Sequence, residues 1–251
     1  MSGGAAALVD AGGCGYELGY VGEAGRGRRE SLSTGAAVAF EDVGPVRDFR
    51  WSRSQRHWPG WWWSSTSSRH VGYESWLERD HAMLLDFDPD VTGFASQPFW
   101  FYWPDGARRR RHAPDFFARR SDGTGEVIDV RADDRIEPAD AEAFEAMARG
   151  CAQVGWRFSR VGIPDPIRGA NVRWLSRYRH SRCGARIELA QRLLEVFAQP
   201  RGLLAGAGSV GDRLAVLPVL HHLMWRQVLV AHLTTEPLHP ATEVRRAEGG
   251  R

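Results

Sequence analysis

Two aspartates and an arginine in the middle of the chain have the types and spacing of a small ionic site. Asp115 follows a proline, and Asp129 and Arg131 stand two residues apart further along the chain. Because successive side chains of a strand point to opposite faces, Asp129 and Arg131 are expected to share one face. Turn-forming residues at 121–125 join the two segments as an antiparallel pair whose partner numbers sum to about 245. This pairing places Asp115 opposite residue 130, to within one residue.

This arrangement predicts phosphate chemistry that depends on a metal ion. Two close carboxylates repel each other unless a hard cation lies between them. Oxygen ligands with open positions suit Mg²⁺ or Mn²⁺, and a neighbouring arginine can stabilise charge on a phosphate. A turn aspartate beside a solvated strand edge would leave the same residues in the sequence, so the spacing alone does not separate the two interpretations.

An acidic helix precedes these segments and offers a third carboxylate. The pattern predicts a helix over about residues 73–85, with Ser67 or Ser68 as its cap. Glu74 and Glu78 are four residues apart and therefore share a face of that helix. We expect only one of them to reach a metal ion, and an exposed ion pair is the alternative role for either.

A series of short motifs continues from this helix in a fixed order. They are Leu-Leu-Asp-Phe-Asp-Pro-Asp-Val at 84–91, Gln-Pro-Phe at 97–99, Pro-Asp-Phe at 114–116 and Asp-Val-Arg at 129–131. In this order they resemble the TnsA-like endonuclease subunit of heteromeric transposases, a branch of the PD-(D/E)xK superfamily of nucleases. The resemblance covers residues 45–165 well and extends more loosely to residue 246.

The resemblance implies a role for four residues. Glu78, Asp115 and Asp129 would hold Mg²⁺, with Mn²⁺ as a substitute, and the metal would activate a water for in-line attack. Arg131 takes the position where the family usually has lysine. Arginine cannot act as a base, although it still neutralises a phosphate. All 33 of the Lys and Arg residues in this chain are arginine, so a composition bias explains the replacement, and a weakened site is the alternative.

A basic run lies directly before the Pro-Asp motif. Its members are Arg108, Arg109, Arg110, Arg111 and His112. Four consecutive cations cannot all face a core, so half or more of them are solvated. Beside a nuclease site we expect them to contact the DNA backbone, and a contribution to solubility is the alternative.

The predicted fold class is α/β. A strand at 99–103 and a returning strand that runs through residues 115–117 precede the hairpin. A helix that begins at Pro138 and stops at Gly155 follows it and leads into another strand. Strand, helix and strand in this order are typical of a crossover in a mixed sheet. We expect residues 41–165 to form a restriction-endonuclease-like mixed sheet flanked by helices, the nuclease domain.

Other segments carry weaker structural signals. Residues 1–40 are rich in Gly and Ala, with too little apolar content to offset the entropy of ordering them, which predicts a flexible leader. Residues 162–169 contain two prolines and are predicted to form a linker. The tryptophan-rich segments 49–51 and 61–63 are predicted to form two short strands around a loop.

The C-terminal part, residues 166–251, is predicted to be a smaller winged-helix-like α+β domain. An amphipathic helix at 187–197 is followed by a second helix that opens at 211. A hairpin over 228–244 would complete the order helix, helix, hairpin. Because many small α+β domains share this order, it does not fix a function.

Composition excludes several classes of protein. The net charge of +2 is nearly neutral, so only local clusters of charge could bind phosphate. Cys14, Cys151 and Cys183 are odd in number and have no metal-binding spacing, which argues against a zinc site or a disulfide framework. No apolar run is long enough to span a membrane, and we expect a soluble cytoplasmic protein.

Three functions are compatible with these patterns. The resemblance implies a DNA endonuclease that hydrolyses phosphodiester bonds at the 5′ ends of a mobile element. Its expected partners are an RNase H-like transposase subunit and an ATPase regulator. The second function is a stand-alone nuclease of restriction or repair. The third is a catalytically silent module that binds DNA or bridges the transposase, which the arginine at position 131 permits.

Overall fold

The computed structural model describes residues 15–22, 25–47 and 58–248. The chain divides into two compact units, the first formed by residues 1–79 with 90–163 and the second by residues 80–89 with 164–251. Helices and strands occur in both, with mixed and antiparallel sheets, and the fold is therefore α/β. Within the described ranges, no helix has the length and apolar character needed to cross a membrane.

The first unit contains most of the strands. They are β1 (Glu17–Val21), β2 (Gly27–Ser31), β3 (Gly60–Trp63), β4 (His70–Tyr73), β5 (Val91–Ser96), β6 (Trp100–Asp105), β7 (Arg108–His112), β8 (Phe116–Arg120), β9 (Gly125–Val130) and β10 (Arg157–Val161). Its helices are α1 (Leu32–Gly35), the start of α2 (Trp76–Phe87) and α3 (Pro138–Gln153).

A four-stranded mixed sheet carries the segments that the sequence marks as chemical. Its order is β10-β9-β8-β5, with β10 parallel to β9 and the other pairs antiparallel. The helix α3 connects the parallel pair, as the crossover pattern predicts. In the β8–β9 hairpin Phe116 pairs with Ile128 and Phe117 with Val127, so the predicted register is confirmed to within one residue.

The second sheet has the order β2-β1-β6-β7 and is antiparallel throughout. An aromatic core joins this sheet to the mixed sheet and to α3. Phe101 of β6, Phe117 of β8 and Met147 of α3 are each at most 1% exposed. The core fixes the two sheets against each other, and the ends of β7, β8 and β9 are positioned by that packing.

The predicted flexible leader over residues 1–40 is wrong for its described part. The strand β1 lies between β2 and β6 in the second sheet, and Leu18, Leu32 and Phe40 are at most 1% exposed. Apolar residues are few in this segment, but these three are fully buried. Contacts with distant parts of the chain therefore offset the ordering entropy, which local composition cannot reveal.

The predicted returning strand through residues 115–117 is also wrong, because two strands of different sheets replace it. The strand β7 ends at His112 and pairs with β6, whereas β8 begins at Phe116 and pairs with β5 and β9. Between them lies Pro114, which has no N–H to continue a ladder. Asp115 consequently stands at the entrance of β8.

The tryptophan-rich hairpin differs from its prediction. Trp61, Trp62 and Trp63 do form strand β3, but its partner is β4. The segment 49–51, which was predicted as the partner, lies outside the described residues.

The second unit is built from short helices and a small sheet. Its elements, besides the rest of α2, are α4 (Pro166–Leu175), α5 (Ile187–Val196), β11 (Arg201–Gly202), α6 (Leu203–Val210), α7 (Arg213–Trp225), β12 (Leu229–Val230) and β13 (Glu243–Arg246). The strands form an antiparallel sheet in the order β11-β13-β12.

The helices expected near 187–197 and from 211 are present in this unit. The predicted linker over 162–169 is shorter than expected, because Asp165 caps α4 and Pro166 begins it. The helix α6 is absent from the prediction. Two internal glycines, Gly206 and Gly208, lower its intrinsic helix propensity, and packing of the first of them against Phe197 compensates.

Candidate functional site

A cavity of about 320 Å³ in the first unit gathers the residues that the sequence marks as chemical. Its lining includes all four residues of the predicted catalytic set and two members of the basic run: Glu78, Arg111, His112, Asp115, Asp129 and Arg131. The ends of β7 and β9, the entrance of β8 and the first turn of α2 supply these side chains. Residues distant in sequence are therefore brought to one place by the two sheets.

The two aspartates lie beside each other at the edge of the hairpin. The backbone N–H of Val130 donates a hydrogen bond of 2.7 Å to Asp115 Oδ2. Asp129 is 2% exposed, and its Oδ1 lies 2.8 Å from His112 Nε2. Its other oxygen, Oδ2, has no hydrogen-bond partner among the described residues. A buried carboxylate oxygen left in this condition is costly, which makes it a candidate ligand for a cation.

Electrostatics at Asp115 point the same way. Burial raises the pKa of the Asp115 carboxyl well above its ordinary value, and the negative charges of Glu78 and Asp129 raise it further. The hydrogen bond from Val130 and the charge of Arg47 act in the opposite direction. The charges of Glu78 and Asp129 thus disfavour the ionised form of Asp115 in this cavity, and a bound cation would relieve that repulsion.

Glu78 has a structural task as well as a place in the cavity. Ser75 caps α2, in place of the predicted Ser67 or Ser68, because the N–H of Glu78 donates to Ser75 Oγ at 3.2 Å. In return Glu78 Oε1 accepts from Ser75 Oγ at 2.8 Å, and Oε2 accepts from the N–H of Glu74 at 2.7 Å. This reciprocal pattern is a form of capping box. Burial raises the Glu78 pKa, and these hydrogen bonds lower it.

Arg131 is held at the rim of the cavity. Its Nη2 donates to Asp140 Oδ1 on α3 at 3.0 Å, and its side chain is 45% exposed. Arg131 follows Val130, the last residue of β9, and its side chain lines the cavity. The guanidinium is therefore part of the site while it remains in an ion pair that solvent can reach.

The basic run divides into two groups. Arg109 pairs with Glu17, and Arg110 pairs with both Asp105 and Glu142. Arg108, Arg109 and Arg110 are absent from the lining of the cavity, so the structure does not bring these three predicted DNA-binding residues to it. The cause is the ion pairing of the second and third arginines within the unit.

Arg111 and His112 do reach the cavity. The Arg111 guanidinium stacks over the Trp100 ring at 4.3 Å from its centroid, and His112 contacts Asp129 as described above. His112 therefore lies inside the site and supports a carboxylate, whereas the sequence grouped it with the outer arginines.

The sequence analysis assigned no role to Arg47 or to Gln97. Arg47 lines the cavity together with Glu74, to which its Nη2 donates at 2.7 Å. Its Nε donates to Gln97 Oε1 at 2.8 Å. Gln97 belongs to the Gln-Pro-Phe motif, which was noticed without a role, while Arg47 carries no local signal. Fifty residues separate the two in sequence.

The donor set fits a hard cation. Asp115, Asp129 and Glu78 offer carboxylate oxygens to one cavity, and one of those oxygens lacks a partner. Over the part of the chain that the structure describes, no group of three or more His, Cys, Asp or Glu residues is already arranged around a metal position. Because Glu78 is engaged in its helix cap, a third ligand would require that side chain to move.

Comparisons with known proteins add nothing to this assignment, since the sequence matches no protein-family model and no curated protein.

Proposed function

We propose that this chain is a metal-dependent DNA endonuclease. The observation that carries the proposal is the buried Asp129 Oδ2, which has no partner among the described residues and lies in a cavity with Asp115 and Glu78. Arginines at the same cavity supply the positive charge that a phosphodiester needs. Mg²⁺ is the metal we expect, with Mn²⁺ as a substitute, because only oxygen ligands are offered.

The reaction is hydrolysis of one phosphodiester. A bound metal ion would lower the pKa of a water and stabilise charge on the phosphate. Asp115 and Asp129 would hold that ion, oriented by the Val130 N–H and by His112. The Arg131 guanidinium would donate to the phosphate oxygens as they gain charge. The water oxygen bonds to phosphorus and loses a proton, one P–O bond to a sugar breaks, and the leaving oxygen takes up a proton.

The biological setting that we propose is transposition. The order of the acidic helix and the motifs at 97–99, 114–116 and 129–131 resembles the TnsA-like subunit, which cuts the 5′ ends of an element. An RNase H-like transposase subunit and an ATPase regulator would be its partners, in the cytoplasm. A mixed sheet with a helical crossover supports a restriction-endonuclease-like first unit. The order α5, β11, α6, α7, β12, β13 supports a winged-helix-like second unit.

Cleavage of an element-end DNA duplex, with the partner transposase present, tests the proposal. Wild-type protein should cut in Mg²⁺ and not in chelator, and Asp115→Ala should abolish cutting because the metal loses a central ligand. Asp122→Ala is the matched control, because that aspartate lies in the turn of the same hairpin and pairs only with surface groups. Full activity in chelator, or in Asp115→Ala, would rule out the metal site. Cutting without any partner would favour a stand-alone nuclease.

A silent DNA-binding or transposase-bridging module is the second candidate. The ion pair of Arg131 with Asp140 favours it, because this pair engages the guanidinium that would otherwise face the phosphate. If the chain is an enzyme, Arg131→Lys should keep substantial activity, since the charge remains. A wild type that binds the duplex and never cuts, together with an Arg131→Lys variant that does cut, would establish the silent module.

A further inference from the structure

Arg47 lies at the proposed site, but the reaction described above assigns no role to it. It lines the 320 Å³ cavity that holds the carboxylates. It also lines a second cavity of about 650 Å³, which shares Glu74, Glu78 and Arg131 with the first and continues to Arg135. A DNA strand that passes the carboxylates from one cavity to the other would therefore meet Arg47 beside the reacting phosphate.

The guanidinium of Arg47 is fixed from two sides. Its Nη2 donates to Glu74 Oε2 at 2.7 Å, and its Nε donates to Gln97 Oε1 at 2.8 Å. The backbone supports the same geometry, because the N–H of Val46 donates to the Gln97 carbonyl at 2.8 Å. The planar group is thus oriented before any substrate binds, which is the condition for effective stabilisation of charge.

Gln97 connects this arginine to the metal-binding carboxylates. Its N–H donates to the carbonyl of Asp115 at 3.1 Å, and it is 1% exposed with φ of 46°. A residue other than glycine at positive φ is strained, and such a conformation persists where the surroundings require it. The surroundings here are the backbone of Asp115 on one side and Arg47 on the other.

Arg47 and Arg131 both line the cavity of the carboxylates, and solvent reaches both side chains, which are 42% and 45% exposed. Each is in one ion pair, Arg47 with Glu74 and Arg131 with Asp140. Arg47 has in addition a side-chain hydrogen bond to Gln97. Its guanidinium is therefore the more firmly oriented of the two towards charge that develops on a phosphate bound there.

We infer that Arg47 is a further catalytic residue, whose guanidinium contacts the scissile phosphate, and that Gln97 is the positioning residue that holds it. The inference rests on the proposed nuclease function. Arg131 keeps its proposed contact with the same phosphate.

The first test measures kcat at saturating element-end duplex, with Mg²⁺ and the partner transposase. Arg47→Ala should lower kcat by about 100- to 1,000-fold, as removal of one donor from a preorganised anion site does. Duplex affinity should change far less, because the other arginines supply most backbone contacts. Arg47→Lys should recover part of the rate through its charge. The control is Arg157→Ala, which removes an ion pair of the same length, 2.7 Å, and lines neither cavity.

The second test isolates the positioning role. Gln97→Asn tolerates the positive φ, but its shorter side chain does not reach Arg47. It should lower kcat in the wild-type background and have no added effect in Arg47→Ala, because its contribution acts through the arginine. If Arg47→Ala does not fold by thermal denaturation, Arg47→Gln takes its place in both tests.

The outcomes separate this inference from the function on which it rests. Wild-type cleavage together with an Arg47→Ala rate equal to that of Arg157→Ala overturns the role of Arg47 and leaves the nuclease intact. An equal loss from Gln97→Asn in both backgrounds overturns the positioning role. A wild type that never cuts overturns the proposed function, and the role of Arg47 falls with it.

Discussion

Strand β9 carries two buried carboxylates, one on each face, and they differ in how many of their oxygens accept hydrogen bonds. Glu126 is 6% exposed, and its two oxygens are both satisfied, by Arg120 Nε at 2.6 Å and by Ser159 Oγ at 2.5 Å. Asp129 is 2% exposed, and one of its oxygens has no partner among the described residues. Glu126 thus has a partner for each of its oxygens, whereas Asp129, three positions further along the same strand, has a partner for one of them.

The comparison shows that burial of a carboxylate does not by itself indicate a site. A buried charge that is paired and hydrogen-bonded belongs to the structure, and removing one partner destabilises the fold. A buried charge that is left partly unpaired lowers stability and persists where a ligand or a reaction uses it. Glu126 is of the first kind and Asp129, by our proposal, is of the second.

The largest expected effect is on Asp129. Asp129→Asn should reduce cleavage by more than about 1,000-fold, because the metal loses an anionic ligand. The free energy of unfolding should stay the same or rise, since a buried charge without a second partner is removed. Urea denaturation and cleavage on the same preparation check both parts. A large loss of stability would mean that Asp129 is a structural residue like Glu126.

The opposite result is expected for Glu126. Glu126→Gln should lower the free energy of unfolding by about 3 kcal/mol, because the buried position loses the negative charge to which Arg120 and Ser159 donate. At temperatures where the variant is folded, kcat should equal that of the wild type. Urea denaturation and cleavage again provide the measurement. Lost cleavage in a fully folded Glu126→Gln protein would show that both faces of β9 serve the reaction.

His221 in the second unit extends the comparison to a neutral group. It is 6% exposed with an unpartnered Nδ1 among the described residues, and burial lowers its pKa from 6.5 to about 4. The unfolded chain therefore binds a proton that the folded unit does not bind between these values. The contribution that neutral His221 makes to stability is therefore fully present above pH 6.5, and it is lost as the pH falls towards 4.

Because protonation is linked to unfolding, the free energy of unfolding of this unit should fall by about 2 kcal/mol between pH 7.5 and pH 5. His221→Phe should remove that part of the pH dependence, because the ring packs on Tyr178 and Trp174 without needing its nitrogens. Urea denaturation at the two pH values gives the measurement. If the free energy of unfolding of His221→Phe varies with pH as in the wild type, the pH dependence comes from other groups.

The smallest change in stability is expected at the cap of α2, where Glu78 is both a capping residue and a proposed site residue. Ser75→Ala removes the cap of α2 and should cost about 1 kcal/mol of stability while leaving cleavage within a small factor of the wild type. Glu78→Gln keeps much of the capping geometry and should lower cleavage strongly, although incompletely if the side chain only positions water. Damage from Glu74→Ala together with a silent Glu78→Gln would place the functional carboxylate one turn earlier.

Local sequence determined the elements whose signals are short in range. The register of β8 and β9 follows from a turn of a few residues, so the neighbourhood of Asp115 and Asp129 could be predicted to within one position. The helix α3 begins at Pro138 and ends before Gly155, where proline and glycine set its limits. In each case the determining residues lie within a few positions of the structure that they determine.

Tertiary structure decided everything that depends on distant partners. Composition gives no sign that Leu18 and Phe40 are buried, because their burial depends on strands that follow much later. Arg47 and Gln97 meet across fifty residues, and Arg109 and Arg110 are turned from the cavity by acids outside their own strand. Pairing energies between distant residues leave no periodic pattern in the sequence, so only the folded chain reveals which charges are compensated and which are left for a ligand.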